Sequence, residues 1–180
     1  MACKAVFLDR DGVINRAIVV EGRPYAPRRL AQFRLMPGAR ANVIRLRRAG
    51  FRVVVVTNQP DVAKKLIDPL DLERMNKRLI EELQVDAVRV CAHAQGEGCG
   101  CRKPRPGMLI EAAIEFGIDL HRSYMVGDRW SDVEAGHAAG CYTLKIERGY
   151  VNDRPVHPDA VVPTFSHAVK HIIRRERDYA

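Results

Sequence analysis

No stretch of this sequence approaches the roughly 18 consecutive apolar residues that cross a bilayer, so no transmembrane helix and no membrane partner are expected. The opening residues, Met1-Ala2-Cys3-Lys4-Ala5-Val6-Phe7-Leu8, run into Asp9 and Asp11 without the apolar region of a secretory signal, which points to a cytoplasmic protein. Internal repeats and low-complexity tracts are missing as well, which excludes solenoids and repeat arrays. Cysteine is scarce and odd in number, at five. In a reducing compartment such a set suits metal better than disulfides, and Cys91, Cys99 and Cys101 crowd beside His93.

What is present is an ordinary soluble composition, 47% hydrophobic and 29% charged, in 180 residues. A chain of this length can bury roughly 70% of its unfolded surface, enough for a single domain spanning 1–180, with a monomer as the default. The net charge of +8 suits either nucleic acid or a small multiply charged anion such as a bisphosphate, and does not choose between them.

The apolar runs Lys4–Leu8 and Arg52–Val56 read as strands buried on both faces. Between them, Pro37-Gly38-Ala39 opens a helical pattern (Ala39, Val43, Ile44, Leu46) that Gly50 closes. Further helices are predicted over Leu70–Leu83 and from Pro106 to Gly117, with strands at Asp86–Cys91, Tyr124–Val126, Cys141–Ile146 and Ala160–Val162. Ser131 and Glu134 carry a capping-box signature for a short helix, and a helix near Ser166–Arg175 closes the chain. Such alternation predicts an α/β fold with a parallel sheet covered on both faces, whose ligands bind beyond the carboxyl ends of the strands.

The chemistry gathers at those ends. Asp9-Arg10-Asp11-Gly12 follows the first strand, and two carboxylates so close repel unless a hard cation such as Mg²⁺ joins them; Asp128, after another strand, offers a third oxygen donor. An ionised aspartate can attack phosphorus once cations offset its repulsion with the phosphate, and Asp9 is the better-buried choice. Asp11 is then placed to give a proton to the leaving alkoxide and to take one from the attacking water. Thr57 and Asn58, at the end of the valine-rich strand, and Lys103 supply donors and charge for a phosphoryl clamp.

Cys91, His93, Cys99 and Cys101 form a closed Cys₃His set, the composition of a tetrahedral structural Zn²⁺ site, in a loop at 91–101. Such a loop would hold Arg102 and Lys103 toward the phosphate.

These pieces, Asp9-Arg10-Asp11-Gly12-Val13-Ile14-Asn15, Thr57-Asn58-Gln59, Lys103 and Gly127-Asp128-Arg129-Trp130-Ser131-Asp132, resemble the four motifs of haloacid dehalogenase-like phosphatases, in that family's order. The resemblance implies a three-layer, Rossmann-like fold with a parallel central sheet. It implies Asp9 as nucleophile, Asp11 as acid and base, and Thr57 and Lys103 as phosphoryl-steadying groups. Asp9, the Asp11 backbone carbonyl and Asp128 would bind Mg²⁺, with Asp132 supporting them. Arg10, Asn58, Gln59, Arg102 and Arg129 would contact substrate.

The zinc loop followed by Cys101-Arg102-Lys103-Pro104 narrows the likeness to D-glycero-D-manno-heptose 1,7-bisphosphate phosphatases and related histidinol-phosphate phosphatases. The former release the 7-phosphate in pathways to lipopolysaccharide core and other surface heptose glycans; histidinol phosphate is the alternative substrate. A zinc-containing nucleic-acid-binding module, suggested by the basic balance and by Arg174-Arg175-Glu176-Arg177, leaves Asp9, Asp11 and Asp128 unexplained. The chain departs from the subfamily pattern at Pro60-Asp61-Val62-Ala63-Lys64-Lys65, where Ser-Gly-Ile-Ala-Arg-Gly is more usual, and in the short interval from His93 to Cys99. Residues 16–34 are too few for a large cap domain and are expected to form a flap, from which Arg16, Arg23, Arg28 and Arg29 could meet a second anionic group.

Overall fold

β-branched side chains favour extended backbone, and the run around Val53–Val56 forms strand β4 (Phe51–Asn58) in the computed structural model, which describes residues 3–151 and 154–178. Alternate residues of β4 enter opposite layers: Val53 and Val55 pack in one core cluster, Val54 and Val56 in the other. β1 (Lys4–Leu8) divides in the same way, with Val6 and Leu8 on one side and Ala5 and Phe7 on the other. A period of two in an apolar run therefore produces a sheet with two buried faces. All four valines are 0% exposed, which at about 1.5–3 kcal/mol for a buried aliphatic side chain makes β4 a firm base for the residues at its end.

The sheet adds β5 (Ala87–Cys91), β6 (Tyr124–Gly127), β7 (Tyr142–Ile146) and β8 (Ala160–Val162) in the order β5-β4-β1-β6-β7-β8, every pairing parallel. Helices α1 (Ala39–Arg48), α2 (Pro69–Leu83) and α5 (Phe165–Asp178) send Val43, Met75, Leu79 and Ile172 to one layer. From α3 (Gly107–Phe116) and α4 (Trp130–Ala139), Met108, Leu109, Ala112 and Ala135 fill the other. The expected three-layer Rossmann-like architecture is thus present. The closing helix is tied to the sheet: Glu176 pairs with Lys4 and accepts from the Tyr124 hydroxyl, and Arg175 lies 4.0 Å from the Tyr142 ring centroid.

The capping of α4 differs from expectation. The helix begins at Trp130, so Ser131 lies inside the first turn and Arg129 is the N-cap. Asp132 Oδ2 accepts the Arg129 backbone N–H at 3.0 Å, which fixes a carboxylate at the start of this helix. Residues 16–34 hold an antiparallel hairpin, β2 (Ile18–Val20) and β3 (Arg23–Tyr25), followed by a 3₁₀ turn at Leu30–Gln32. Its base is tied by Arg16 N–H to Arg34 O at 2.8 Å.

Candidate active site

Strand order reverses direction at β1, which lies between β4 and β6, and the crevice of a parallel sheet opens at such a point. Asp9 follows β1 directly, Thr57 and Asn58 end β4, and Asp128 follows β6. Asp132 arrives on the first turn of α4, and Lys103 comes over from the loop between β5 and α3. Two glycines allow the convergence. Gly12, at φ 93°, turns the chain beneath Asp128, where a Cβ would stand 1.8 Å from Oδ2; a Cβ on Gly127 would stand 2.1 Å from that of Asp132.

Lys103 organises the charges. Its Nζ lies 2.6 Å from Asp9 Oδ1 and 2.6 Å from Asp132 Oδ1, and donates to Val56 O at 2.8 Å, which satisfies all three ammonium protons. Burial disfavours its charge, but Asp132 and Asp9 outweigh this and hold its pKa above the ordinary lysine value. Burial lifts Asp9 to about 6; Lys103 opposes the rise, while Asp132 and Asp11 add to it. Asp128 is pushed well up by burial and then by Asp9 and Asp132.

Asp9, Asp128 and Asp132 present oxygens that lie within 4.8 Å of one another, and all three residues are buried. An octahedral Mg²⁺ with oxygens at about 2.1 Å separates adjacent ligands by about 3 Å and opposite ones by about 4.2 Å, so the spacing fits. Asp132 already uses both oxygens, on Lys103 and on Arg129 N–H. Asp128 Oδ2 accepts from the Tyr150 hydroxyl, and its Oδ1 is buried with no hydrogen-bond partner among the described residues. A buried carboxylate oxygen that no protein donor satisfies is suited to direct coordination of a cation.

The Asp11 side chain points elsewhere. Asn15 Nδ2 donates to Oδ1 at 2.8 Å, Gln59 Nε2 to Oδ2 at 2.8 Å, and Arg10 Nε to both oxygens. Gln59 Nε2 also reaches Thr57 Oγ1 at 2.8 Å, so one amide links the Asp11 carboxylate to the Thr57 hydroxyl. Arg10, expected to touch substrate, turns its side chain away from the cavity. The guanidinium is fully buried behind Asp11, donates to Asn76 Oδ1 at 3.2 Å and stacks 5.7 Å from the Phe33 ring centroid. Asn58, also expected to contact substrate, directs its amide to Lys103: Nδ2 donates to Lys103 O at 3.0 Å, and Oδ1 accepts Lys103 N–H at 3.1 Å.

Above this floor lies a cavity of about 790 Å³, lined among others by Asp9, Asp11, Thr57, Lys103, Arg102 and Arg129. The flap forms one wall. Arg28 Nε donates to Asp61 Oδ2 at 2.7 Å, joining the flap to the loop after β4, and Arg129 Nη2 donates to Pro24 O at 2.5 Å. Arg16, Arg23 and Arg29 are exposed outside the cavity, so of the four arginines expected to meet a second anionic group only Arg28 lines it. Arg154 also lines it, 4.3 Å from the Trp130 ring centroid.

Cys91, His93, Cys99 and Cys101 converge beside the cavity, their ligand atoms within 4.8 Å of one another. Cys91 and Cys99 sulfurs are 3.7 Å apart, and His93 Nδ1 lies 3.6 Å from Cys91 Sγ and 3.3 Å from Cys101 Sγ. Zinc–sulfur bonds of about 2.3 Å in a tetrahedron put sulfurs about 3.7 Å apart, so the set fits Zn²⁺ and is too long for a disulfide. Burial and then its neighbouring thiols push the Cys101 thiol up to about 12, a shift that a bound cation would reverse. Arg102 Nη1 donates to His93 O at 3.3 Å, which ties the loop to the residue beside Lys103.

Two site residues were not identified from sequence. Tyr150 contacts Asp128, and Arg148 donates twice to Gly12 O, at 3.0 and 2.6 Å. Both lie in a turn-rich stretch after β7 with no periodicity or spacing to mark them. Asn15 sat within the first motif, but its contact with Asp11 depends on the turn geometry.

A family model for haloacid dehalogenase-like hydrolases matches residues 13–140. The D-glycero-beta-D-manno-heptose-1,7-bisphosphate 7-phosphatase of Pseudomonas aeruginosa is 35% identical over 154 residues, which cover 83% of this chain and 84% of that one. The D-glycero-alpha-D-manno-heptose-1,7-bisphosphate 7-phosphatase of Mycobacterium tuberculosis is 37% identical over 152 residues, 78% of each. A crystal structure of the D,D-heptose bisphosphate phosphatase from B. bronchiseptica, complexed with magnesium and phosphate, superposes with a TM-score of 0.79 at 27% identity. It covers 96% of this chain and 99% of that one.

Proposed function

Because the chain belongs to the haloacid dehalogenase-like hydrolases, we propose that it removes the 7-phosphate of D-glycero-D-manno-heptose 1,7-bisphosphate through an aspartyl-phosphate on Asp9. One observation carries this reading: Asp9, Asp128, Asp132 and Lys103 meet at the strand-order switch, beneath a cavity whose walls are basic. Relatives named for the alpha and for the beta anomer match comparably, so the anomer is left to experiment.

Asp9 attacks phosphorus in line with the departing oxygen, and Lys103 holds the attacking carboxylate while placing positive charge beside the transferred phosphoryl group. Thr57, held by Gln59, donates its hydroxyl to a phosphoryl oxygen. Asp11 delivers a proton to the leaving sugar alkoxide; in the second step it takes one from water, whose oxygen attacks the same phosphorus and frees Asp9. Mg²⁺ held by Asp9, Asp128 and the Asp11 backbone carbonyl, in the manner usual for the family, would offset the charge between nucleophile and phosphate. Zn²⁺ on Cys91, His93, Cys99 and Cys101 would hold the loop that carries Arg102 and Lys103. Asn58 acts through its two bonds to the Lys103 backbone. Arg102, Arg129 and Arg28 line the region where the sugar and its remaining 1-phosphate would lie.

The test is phosphate release in Mg²⁺ from both heptose bisphosphate anomers, histidinol phosphate and an aryl phosphate. The expected result is a strong kcat/KM preference for one heptose anomer, abolished by Asp9→Asn. Preference for histidinol phosphate would reassign the substrate, and no release from any of them would refute the phosphatase reading.

A further inference from the structure

The segment after β7 grips the site from a side that no motif marks. Arg148 donates to Gly12 O through Nε and Nη2 at 3.0 and 2.6 Å, the Tyr150 hydroxyl donates to Asp128 Oδ2 at 2.8 Å, and Val151 N–H donates to Gly22 O at 3.0 Å. Arg148 thus anchors the chain on one side of Tyr150 to the nucleophile turn, and Val151 anchors it on the other to the flap hairpin. Tyr150 reaches Asp128 over Gly12, where a Cβ would stand 2.9 Å from the Tyr150 oxygen. The approach therefore depends on a residue without a side chain at that position.

The two oxygens of Asp128 are unlike. Oδ2 receives the tyrosine proton, whereas Oδ1 is buried with no hydrogen-bond partner among the described residues. A donor fixed on one carboxylate oxygen sets the side-chain torsion and so aims the other.

We propose that Tyr150 is a positioning residue for the cation site, holding Asp128 so that Oδ1 faces the divalent ion. The proposal rests on the phosphatase reading only in giving Asp9 and Asp128 a divalent cation to bind. It also explains why a tyrosine and an arginine two residues apart both turn inward from an otherwise irregular stretch.

The experiment titrates Mg²⁺ alone, by isothermal calorimetry, into full-length wild-type protein and Tyr150→Phe after dialysis into magnesium-free buffer. The variant loses a single oxygen and keeps the ring. Its Kd for Mg²⁺ is expected to rise about tenfold, the lower end of the range for a lost outer-sphere partner. The Mg²⁺ concentration for half-maximal turnover should move by the same factor, with a smaller fall in turnover at saturating Mg²⁺. Without Mg²⁺ the variant should melt close to wild type, and it should gain less from added Mg²⁺. A folded Tyr150→Phe with equal or tighter Mg²⁺ binding overturns the proposal. Absence of Mg²⁺ binding by wild type overturns the cation assignment, and the proposal with it.

Discussion

Replacing Lys103 with methionine keeps the length of the stem and removes the charge between two buried carboxylates. Asp9 is 7% exposed and Asp132 1%, and each lies 2.6 Å from the ammonium group. Removing one partner of a buried ion pair destabilises a fold by about 3–5 kcal/mol, because the charge left behind is neither solvated nor paired. The penalty should also depend on pH with a definite sign. Asp9 already titrates near 6 in the fold against an ordinary 3.8, with Lys103 the main influence holding it down, so the substitution raises it further. A carboxyl whose folded pKa exceeds its unfolded one adds no penalty below the unfolded value. Its penalty grows by about 1.4 kcal/mol per pH unit until the folded value is passed. Urea unfolding of magnesium-free wild type and Lys103→Met at pH 5, 6, 7 and 8 measures this. Wild-type Asp9 carries the same rising penalty up to about pH 6, so the expected deficit is largest at pH 8, shrinks toward pH 6 and levels off between pH 6 and pH 5. A deficit independent of pH, or below about 1 kcal/mol throughout, would refute the electrostatic role assigned to Lys103.

Two further outcomes are expected. Metal analysis should find one Zn²⁺ per chain, lost in Cys101→Ser, which should also lower the melting temperature and phosphatase activity; a variant that keeps both would disconnect the cluster from the Lys103 loop. Arg28→Ala should raise KM for the heptose bisphosphate about tenfold, near 1.4 kcal/mol, with a much smaller effect on an aryl phosphate that has no second anionic group. Equal effects on both substrates would place Arg28 in flap stability rather than in recognition.

Much of the fold was legible because its signals are local. The apolar runs at Lys4–Leu8 and Val53–Val56 predict doubly buried strands, and the helical stripes between them predict crossovers, so the parallel sheet follows from residue types alone. The α4 cap was misread because Ser131-x-x-Glu134 is a legitimate local signature. Here it lost to Asp132, whose carboxylate the tertiary structure needs at the Arg129 N–H and at Lys103.

The candidate site divides in the same way. Sequence alone determined which atoms could do chemistry: the carboxylates at strand ends, the lysine after the cysteine loop, and the Cys₃His set, whose spacing is fixed by a few neighbouring residues. Only the tertiary structure decided which way those atoms face. It turned the Arg10 guanidinium inward against Asp11 and Asn76, bound the Asn58 amide to Lys103, and left Arg28 alone of the four arginines expected to meet a second anion in the cavity. It also brought Tyr150 to Asp128 across 22 positions of sequence. Side-chain direction depends on close packing and on satisfying every buried donor and acceptor, and those constraints come from residues distant in the chain.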